Sequence, residues 1–329
     1  MPNVSASITV QHLSNISSSY EWSFTPVSEI IISPISVLLN SYCLFLFLTN
    51  KKLHTAFNVY LGNLLFANLM YTILNNPLGI INGLYRIWPL GTTACNVYTY
   101  SLSAFGAMTV NSHAFITLNR LWAVTFPINY RKHHGIRTSL FTVFLLWIYV
   151  HLICLPGIVI DARYFRLAFD KNRCILNGSA QPVWNNIVQF VLYVGPVCII
   201  LITYPYVFVR ERQRRPIRFS VSVRSARVAK PTPDVSAGKT AVVPAMSSAG
   251  RNYAFTVMTL LTASILICWV PNVTYYTVTG FTGTHNHSTL LAVTLLFALQ
   301  SVMDPILFVL ALGDLRLAFF SHCVYQKRN

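Results

Sequence analysis

Long apolar runs alternate with short polar stretches along the chain, each run about the 20 residues a helix needs to cross a bilayer. Seven runs stand out, at about 30–49, 57–81, 96–122, 139–160, 185–209, 254–279 and 289–312. They predict an all-α membrane protein, a bundle of seven transmembrane helices. Runs two and three are the least apolar, because they carry Asn63, Asn68, Asn75, Asn76 and Asn111. In a multi-helix bundle such residues face inward. Residues 1–28 form a polar, Ser-rich tail with no basic start and no apolar core of a signal peptide, so no cleavable leader is expected. Residues 29–312 form the bundle and 313–329 a short tail. The stretch 210–251 is rich in Arg, Ser, Pro and Gly, has no apolar run, and reads as a disordered loop.

Composition sharpens this picture. Apolar residues make up 54% of the 329 and charged ones 10%, against about 25% charged in an average soluble protein. That deficit excludes an ordinary cytosolic enzyme. The net charge is +16, and its distribution points to basic loops on a membrane rather than a nucleic-acid groove. Nineteen of the 24 Lys and Arg fall on one side of the predicted bundle, among them Lys51, Lys52, Arg131, Lys132, Arg137 and the 210–251 stretch. The other side holds Arg86, Arg163, Arg166, Lys171 and Arg173. The positive-inside rule then puts the N-terminus outside and the C-terminus in the cytoplasm. The sequons at Asn3, Asn15, Asn177 and Asn286 fall on the outer side and are expected glycosylation sites; a fifth, at Asn272, lies within span six. The seven cysteines have no zinc-site spacing. No internal repeat is apparent, which counts against an inverted-repeat transporter.

A set of short motifs then falls on these spans in order. Span one has Asn40. Span two reads Asn63-Leu64-Leu65-Phe66-Ala67-Asn68. Trp88-Pro89-Leu90-Gly91 and Cys95 precede span three, which ends Asn119-Arg120-Leu121-Trp122-Ala123-Val124-Thr125-Phe126-Pro127. Span four has Trp147, and span five has Pro196 and Tyr204. Span six carries Cys268-Trp269-Val270-Pro271, and span seven ends Asp304-Pro305-Ile306-Leu307-Phe308. Together these resemble the rhodopsin-like (class A) G-protein-coupled receptors over about residues 29–323. Leu315 to Phe320 matches the family's amphipathic eighth helix.

The resemblance implies a plasma-membrane receptor that binds an extracellular ligand and activates a heterotrimeric G protein, with no covalent chemistry of its own and no nucleic-acid partner. It implies a disulfide between Cys95 and Cys174. It gives Asn119, Arg120, Leu121, Tyr204 and Phe308 to G-protein coupling, and Trp269, Pro271, Pro196 and Pro305 to the activation switch. Departures are informative. Asn119 replaces the family's usual acid, Phe308 its tyrosine, and Arg251 stands where some members have Glu, so an ionic latch between spans three and six is not expected. Asp and Asn are exchanged between spans two and seven, as Asn68 and Asp304. The exchange keeps one carboxylate in a polar pocket that Asn40, Thr109, Gln300 and Ser301 would line. Two occupants of that pocket stay open: an allosteric sodium ion, or a proton on Asp304 with a hydrogen bond to Asn68.

The ligand is less legible. Amine receptors carry Asp where Leu102 stands, and opsins carry the retinal Lys where Ala298 stands, so neither a biogenic amine nor retinal is expected. The implied pocket is Leu102, Ser103, Gly106, Val188, Trp269, Asn272, Val273, Tyr276 and Thr294, a neutral lining. Arg163 to Leu176 reads as a β-hairpin with four basic residues, which favours a peptide, acidic or with a free carboxylate. His113 and His151 read as lone hydrogen-bonded residues within spans. Serines among the loop arginines, such as Ser220, Ser222 and Ser225, are expected targets of receptor kinases and arrestin, and Cys323 of palmitoylation. Two rivals remain: a decoy or scavenger of the same fold that no longer couples, and a transporter or channel suggested by the buried Asp304.

Overall fold

The computed structural model describes residues 22–169, 172–228, 248–284 and 286–326, with backbone only for 211–212, 214–228, 248–258 and 321–326. The first span is Phe24–Thr49. The second is Ala56–Leu74 and, after a break at Asn75, Asn76–Leu84. The break has a local cause. Pro77 has no N–H for the Ile73 carbonyl, and its fixed φ suits the first turn of a new helix. The third span is Gly91–Thr125 and the fourth Ile136–Ile160, continued by a wider turn over Asp161–Phe165. The fifth is Pro182–Ile187, a π-helical stretch Val188–Val194, and Gly195–Val228. The sixth is Ser248–Thr282, the seventh His287–Ala311, and a last helix covers Gly313–Gln326.

The spans pack as a closed ring, each against its sequence neighbour and the seventh against the first, with the third also packed on the fifth. Among the described residues, six helices are long and apolar enough to cross a bilayer on composition alone, and the third is not one of them. Its 35 residues rise about 52 Å. Eighteen of them are buried, including Thr99, Ser101, Thr109, Asn111, Ser112, His113, Thr117 and Asn119. The helix is polar because it faces protein on most sides.

Two prolines show how the bundle replaces lost backbone bonds. Pro305 leaves the Ser301 carbonyl without its helical donor; Asn40 Nδ2 from span one donates to it at 2.7 Å and Ser36 Oγ at 3.4 Å. Pro196 leaves the Leu192 carbonyl open in the same way, and Asn111 Nδ2 from span three donates to it at 2.9 Å. Each bend is therefore tied to another span.

Two expectations need correction. The stretch after Arg210 does not start as disordered chain, since the fifth helix runs on to Val228. Arg, Gln and Glu are good helix formers, and extending an existing helix avoids the cost of nucleation. The rest of that loop, the tail sequons Asn3 and Asn15, and the side chains of Arg251 and Cys323 lie outside the described residues. The outer hairpin is also absent: the described residues between Arg163 and Leu176 contain no strand. Their polar groups are taken by side chains instead. Arg166 Nε meets Asp161 Oδ2 at 2.7 Å, Asn177 Nδ2 donates to the Phe165 carbonyl at 3.0 Å, and Cys174 N donates to Asn82 Oδ1 at 2.9 Å.

Candidate functional site

At the outer end, Cys95 and Cys174 form the expected disulfide, with Cα atoms 5.6 Å apart. Asn82 clamps the loop a second time, donating to the Cys174 carbonyl at 3.1 Å while accepting from its N–H. Arg166, expected to face a ligand, lies over the disulfide and on Asp161, whose side chain is fully buried. Asn177 Oδ1 accepts from Ser179 Oγ at 2.8 Å. Asn286 caps the seventh helix, accepting from Thr289 N at 3.0 Å.

Below this lies the layer around Trp269. Trp269 is buried, with Val110, Ile265, Val197 and Val273 in one cluster. Pro271 lies within its helix two residues on. Phe297 meets the Trp269 indole edge-on at 4.9 Å, and Tyr71 meets Phe297 edge-on at 5.2 Å. Tyr193 occupies the space over Gly106 and donates to the Ser103 carbonyl at 3.2 Å. Of the expected pocket, Ser103, Gly106, Val188 and Trp269 therefore gather around Tyr193 and the neighbouring core. Leu102 and Tyr276 are exposed, Asn272 and Thr294 half-buried, and Val273 buried. Tyr71, Tyr193 and Phe297 escaped the sequence reading, because an aromatic residue in an apolar helix carries no distinguishing signal.

The core layer centres on Asp304, which is fully buried. Asn68 Nδ2 donates to its Oδ2 at 2.9 Å, and Gln300 Nε2 to its Oδ1 at 2.6 Å. His113 Nε2 lies 3.3 Å from Oδ2. Thr109 Oγ1 donates to Asn68 Oδ1 at 3.1 Å, and Gln300 also reaches Ser264 Oγ at 3.2 Å. The exchange of Asn68 and Asp304 thus keeps both in one contact, as expected. His113 is the residue missed. It lies one turn after Thr109, on the same helix face, and that spacing is visible in the sequence. Asn40 and Ser301 stand beside the cluster, with the Ser301 hydroxyl turned to the Ala298 carbonyl. Asn68 and Gln300 turn amide nitrogens to the carboxylate, positions where a hard cation needs oxygen ligands, while Asn40 Oδ1 and Gln300 Oε1 are buried without a hydrogen-bond partner among the described residues.

At the inner end, Asn119 turns away from Arg120. Its Nδ2 lies 2.9 Å from His134 Nε2, and its Oδ1 accepts from Tyr130 hydroxyl at 3.1 Å. His134 stacks on Tyr130 with ring centroids 4.2 Å apart. Burial, with the nearby Arg120 charge second, holds the His134 imidazole below its ordinary range of 6.5. The Arg120 guanidinium lies flat over Phe57 of span two, 3.3 Å from the ring centroid. Leu121 is half-buried. Phe308 is fully buried with Leu61, Leu64, Ile116 and Leu315, while the Tyr204 ring lies beside Phe208. The structure brings Asn119 and Arg120 to one end and does not place Tyr204 in that cluster.

The sequence profile described as 7 transmembrane receptor (rhodopsin family) matches residues 39–308. Among curated proteins, the chain is similar to melanopsin-B of Gadus morhua, 29% identical over 120 residues, 36% of this chain and 20% of that one. It is 25% identical over 189 residues to the 5-hydroxytryptamine receptor 1D of Mus musculus, 56% of this chain and 48% of that one. It is 30% identical over 166 residues to the 5-hydroxytryptamine receptor 2C of Pan troglodytes, 50% of this chain and 36% of that one. The chain spans from a fifth to about half of the length of these relatives.

Proposed function

The chain belongs to the rhodopsin family of seven-transmembrane receptors, and from that premise we propose that it binds an extracellular ligand and drives nucleotide exchange on a heterotrimeric G protein through Arg120. The family is a receptor class rather than an enzyme class, and the chain is a multi-pass membrane protein. The proposal adds the plasma membrane, with the N-terminus outside, on the charge asymmetry of the loops.

The observation that carries the reading is the position of Arg120, parked half-buried on the Phe57 ring with Asn119 facing elsewhere. A guanidinium can stack on an aromatic face, and its fork of donors suits carbonyl groups. Leaving Phe57 costs no broken ion pair with residue 119. Ligand binding that shifts Trp269 and the Pro271 bend would open the inner end and release Arg120 to the G protein. The expected peptide ligand loses two supports here, since the hairpin is absent and Arg166 serves Asp161. Kinases and arrestin acting on the basic loop, and a lipid on Cys323, belong to the same proposal.

The test is GTPγS exchange in membranes carrying the full chain, on a panel of G proteins, beside Arg120→Ala. Exchange above mock that Arg120→Ala abolishes supports coupling. Exchange that survives Arg120→Ala refutes the role of Arg120. A chain that binds ligand and never exchanges nucleotide is the decoy.

A further inference from the structure

Glu29 is an outer-half residue whose chemistry the receptor reading leaves unused. It lies near the outer end of the first span, where a carboxylate in an apolar helix is costly without a partner. Its Oε2 is buried and accepts no hydrogen bond among the described residues, and no ion pair among them involves it. The fold makes room for it. A methyl group on Gly79, in the outer piece of span two, would stand 3.2 Å from Glu29 Oε2 and 3.6 Å from Tyr98 Cε2. The missing side chain at 79 is what lets the carboxylate and the Tyr98 ring share that space. Tyr71 and Tyr98 both lie within electrostatic reach of Glu29. Tyr71 then leads through Phe297 to Trp269 by the two edge-on contacts at 5.2 and 4.9 Å.

We propose that Glu29 anchors an organic ammonium ligand, with Tyr71 and Tyr98 as its aromatic walls. The proposal rests on the receptor reading above and names the ligand class for it. The chemistry selects the class. A lone carboxylate flanked by phenol rings attracts a cation with apolar substituents, by charge and by the ring faces. It makes no oxygen cage for a metal ion, and the described residues hold no group of three or more His, Cys, Asp or Glu at metal-binding spacing. An anionic ligand would meet Glu29 with like charge. The counter-ion absent at Leu102 of span three is thereby supplied from span one. An ammonium drawn to Glu29 would press on Tyr71, and the ring chain would carry that displacement to the tryptophan of the switch.

The experiment is thermal unfolding of the purified full chain in lipid nanodiscs. The probes are phenethylamine, its trimethylammonium analogue and the neutral phenethyl alcohol, titrated to millimolar concentration. The expected result is a concentration-dependent rise in Tm with both ammonium compounds and none with the alcohol. Glu29→Gln should weaken the apparent affinity by about 30-fold or more, and Gly79→Ala by about tenfold, since its methyl displaces the carboxylate. The absence of a shift with either ammonium compound overturns the proposal, and so does a shift that survives Glu29→Gln. If Glu29→Gln does not fold, Gly79→Ala and Tyr98→Leu decide: unchanged affinity in both overturns it. No G protein enters this readout. Ammonium binding without nucleotide exchange keeps the Glu29 site and removes the coupling reading, and exchange without ammonium binding does the reverse.

Discussion

Replacing Asp304 by Asn tests whether the core cluster is built around a carboxylate. The two side chains have nearly the same shape, so packing is preserved and only the hydrogen-bond chemistry changes. Two amide N–H groups donate to the two Asp304 oxygens, Gln300 Nε2 to Oδ1 and Asn68 Nδ2 to Oδ2, and His113 Nε2 lies 3.3 Å from Oδ2. An amide offers one oxygen. With that oxygen toward Asn68 and His113, its NH2 opposes Gln300, and the shortest bond, 2.6 Å, is lost. With it toward Gln300, the NH2 opposes Asn68. Either way a buried donor is left facing another donor, a cost of about 1–3 kcal/mol. Asp304→Asn should therefore lower the Tm of the solubilised chain by several degrees. Adding Asn68→Asp restores one carboxylate in the same contact, now carried by span two. The amide introduced at position 304 would donate to that carboxylate and accept from Gln300, and Thr109 would donate to the second carboxylate oxygen. The double-mutant cycle should show a favourable coupling of about 1–3 kcal/mol. Thermal melts of the four proteins measure it. An Asp304→Asn chain as stable as the parent, or a strictly additive cycle, would refute the carboxylate-centred account.

Three further outcomes follow from the geometry. Asn111→Leu strands the proline-freed Leu192 carbonyl and Asn40→Leu leaves the Ser301 carbonyl only the Ser36 hydroxyl at 3.4 Å, so each should cost about 1–3 kcal/mol in the same melts, whereas Asn58→Leu, which removes a bond to the Leu53 carbonyl at the half-buried inner end of span two, should cost less. Gly157→Val should prevent correct assembly, because a side chain at 157 would land inside the Trp184 indole, itself held by its Nε1 bond to the Ile153 carbonyl at 2.9 Å; a monodisperse, ligand-competent Gly157→Val chain contradicts this. His134 titrates below its ordinary 6.5 in the folded chain, so the unfolded state binds its proton first. Its contribution is complete above pH 6.5 and is lost as pH falls below that value. The groups facing it are Arg120, Asn119, Tyr130, Tyr60, Trp122 and Ser139. Stability should fall as pH drops below 6.5, less so in His134→Gln, and equal slopes in the two proteins would refute the assignment.

The spans were legible because a bilayer demands length and apolarity, two quantities a sequence displays directly. Their ends were not, since a helix continues where apolarity stops: span three begins at Gly91 and span five runs on to Val228. The disulfide and the contact of Asn68 with Asp304 followed from motif positions. The roles of Asn40 and Asn111 were hidden, although each proline names the carbonyl four residues before it that will need a donor. Which span supplies that donor is a fact of packing. Arg166 misled for the same reason. Its partner Asp161 is five residues away, but only the turn over Asp161–Phe165 brings them together.

The inner end shows why a motif departure need not mean a lost function. With Asn at 119, no carboxylate holds Arg120 from the adjacent position, and a latch built on that pair is gone. The chain holds the region by other means. Asn119 joins span three to the inner loop through His134 and Tyr130, and Arg120 rests on Phe57 of span two. A cation–π contact of this kind contributes about 0.5–2 kcal/mol to the parked state, and no ion pair with residue 119 adds to it. A smaller gap between parked and released Arg120 raises the population of the released state, by about tenfold for each 1.4 kcal/mol. The same substitution that removes the family's acid therefore predicts a receptor with measurable exchange before any ligand arrives. Phe57→Leu, which removes the ring and leaves Asn119 in place, should raise that basal exchange further; a fall would mean that Phe57 holds Arg120 ready for the G protein rather than away from it.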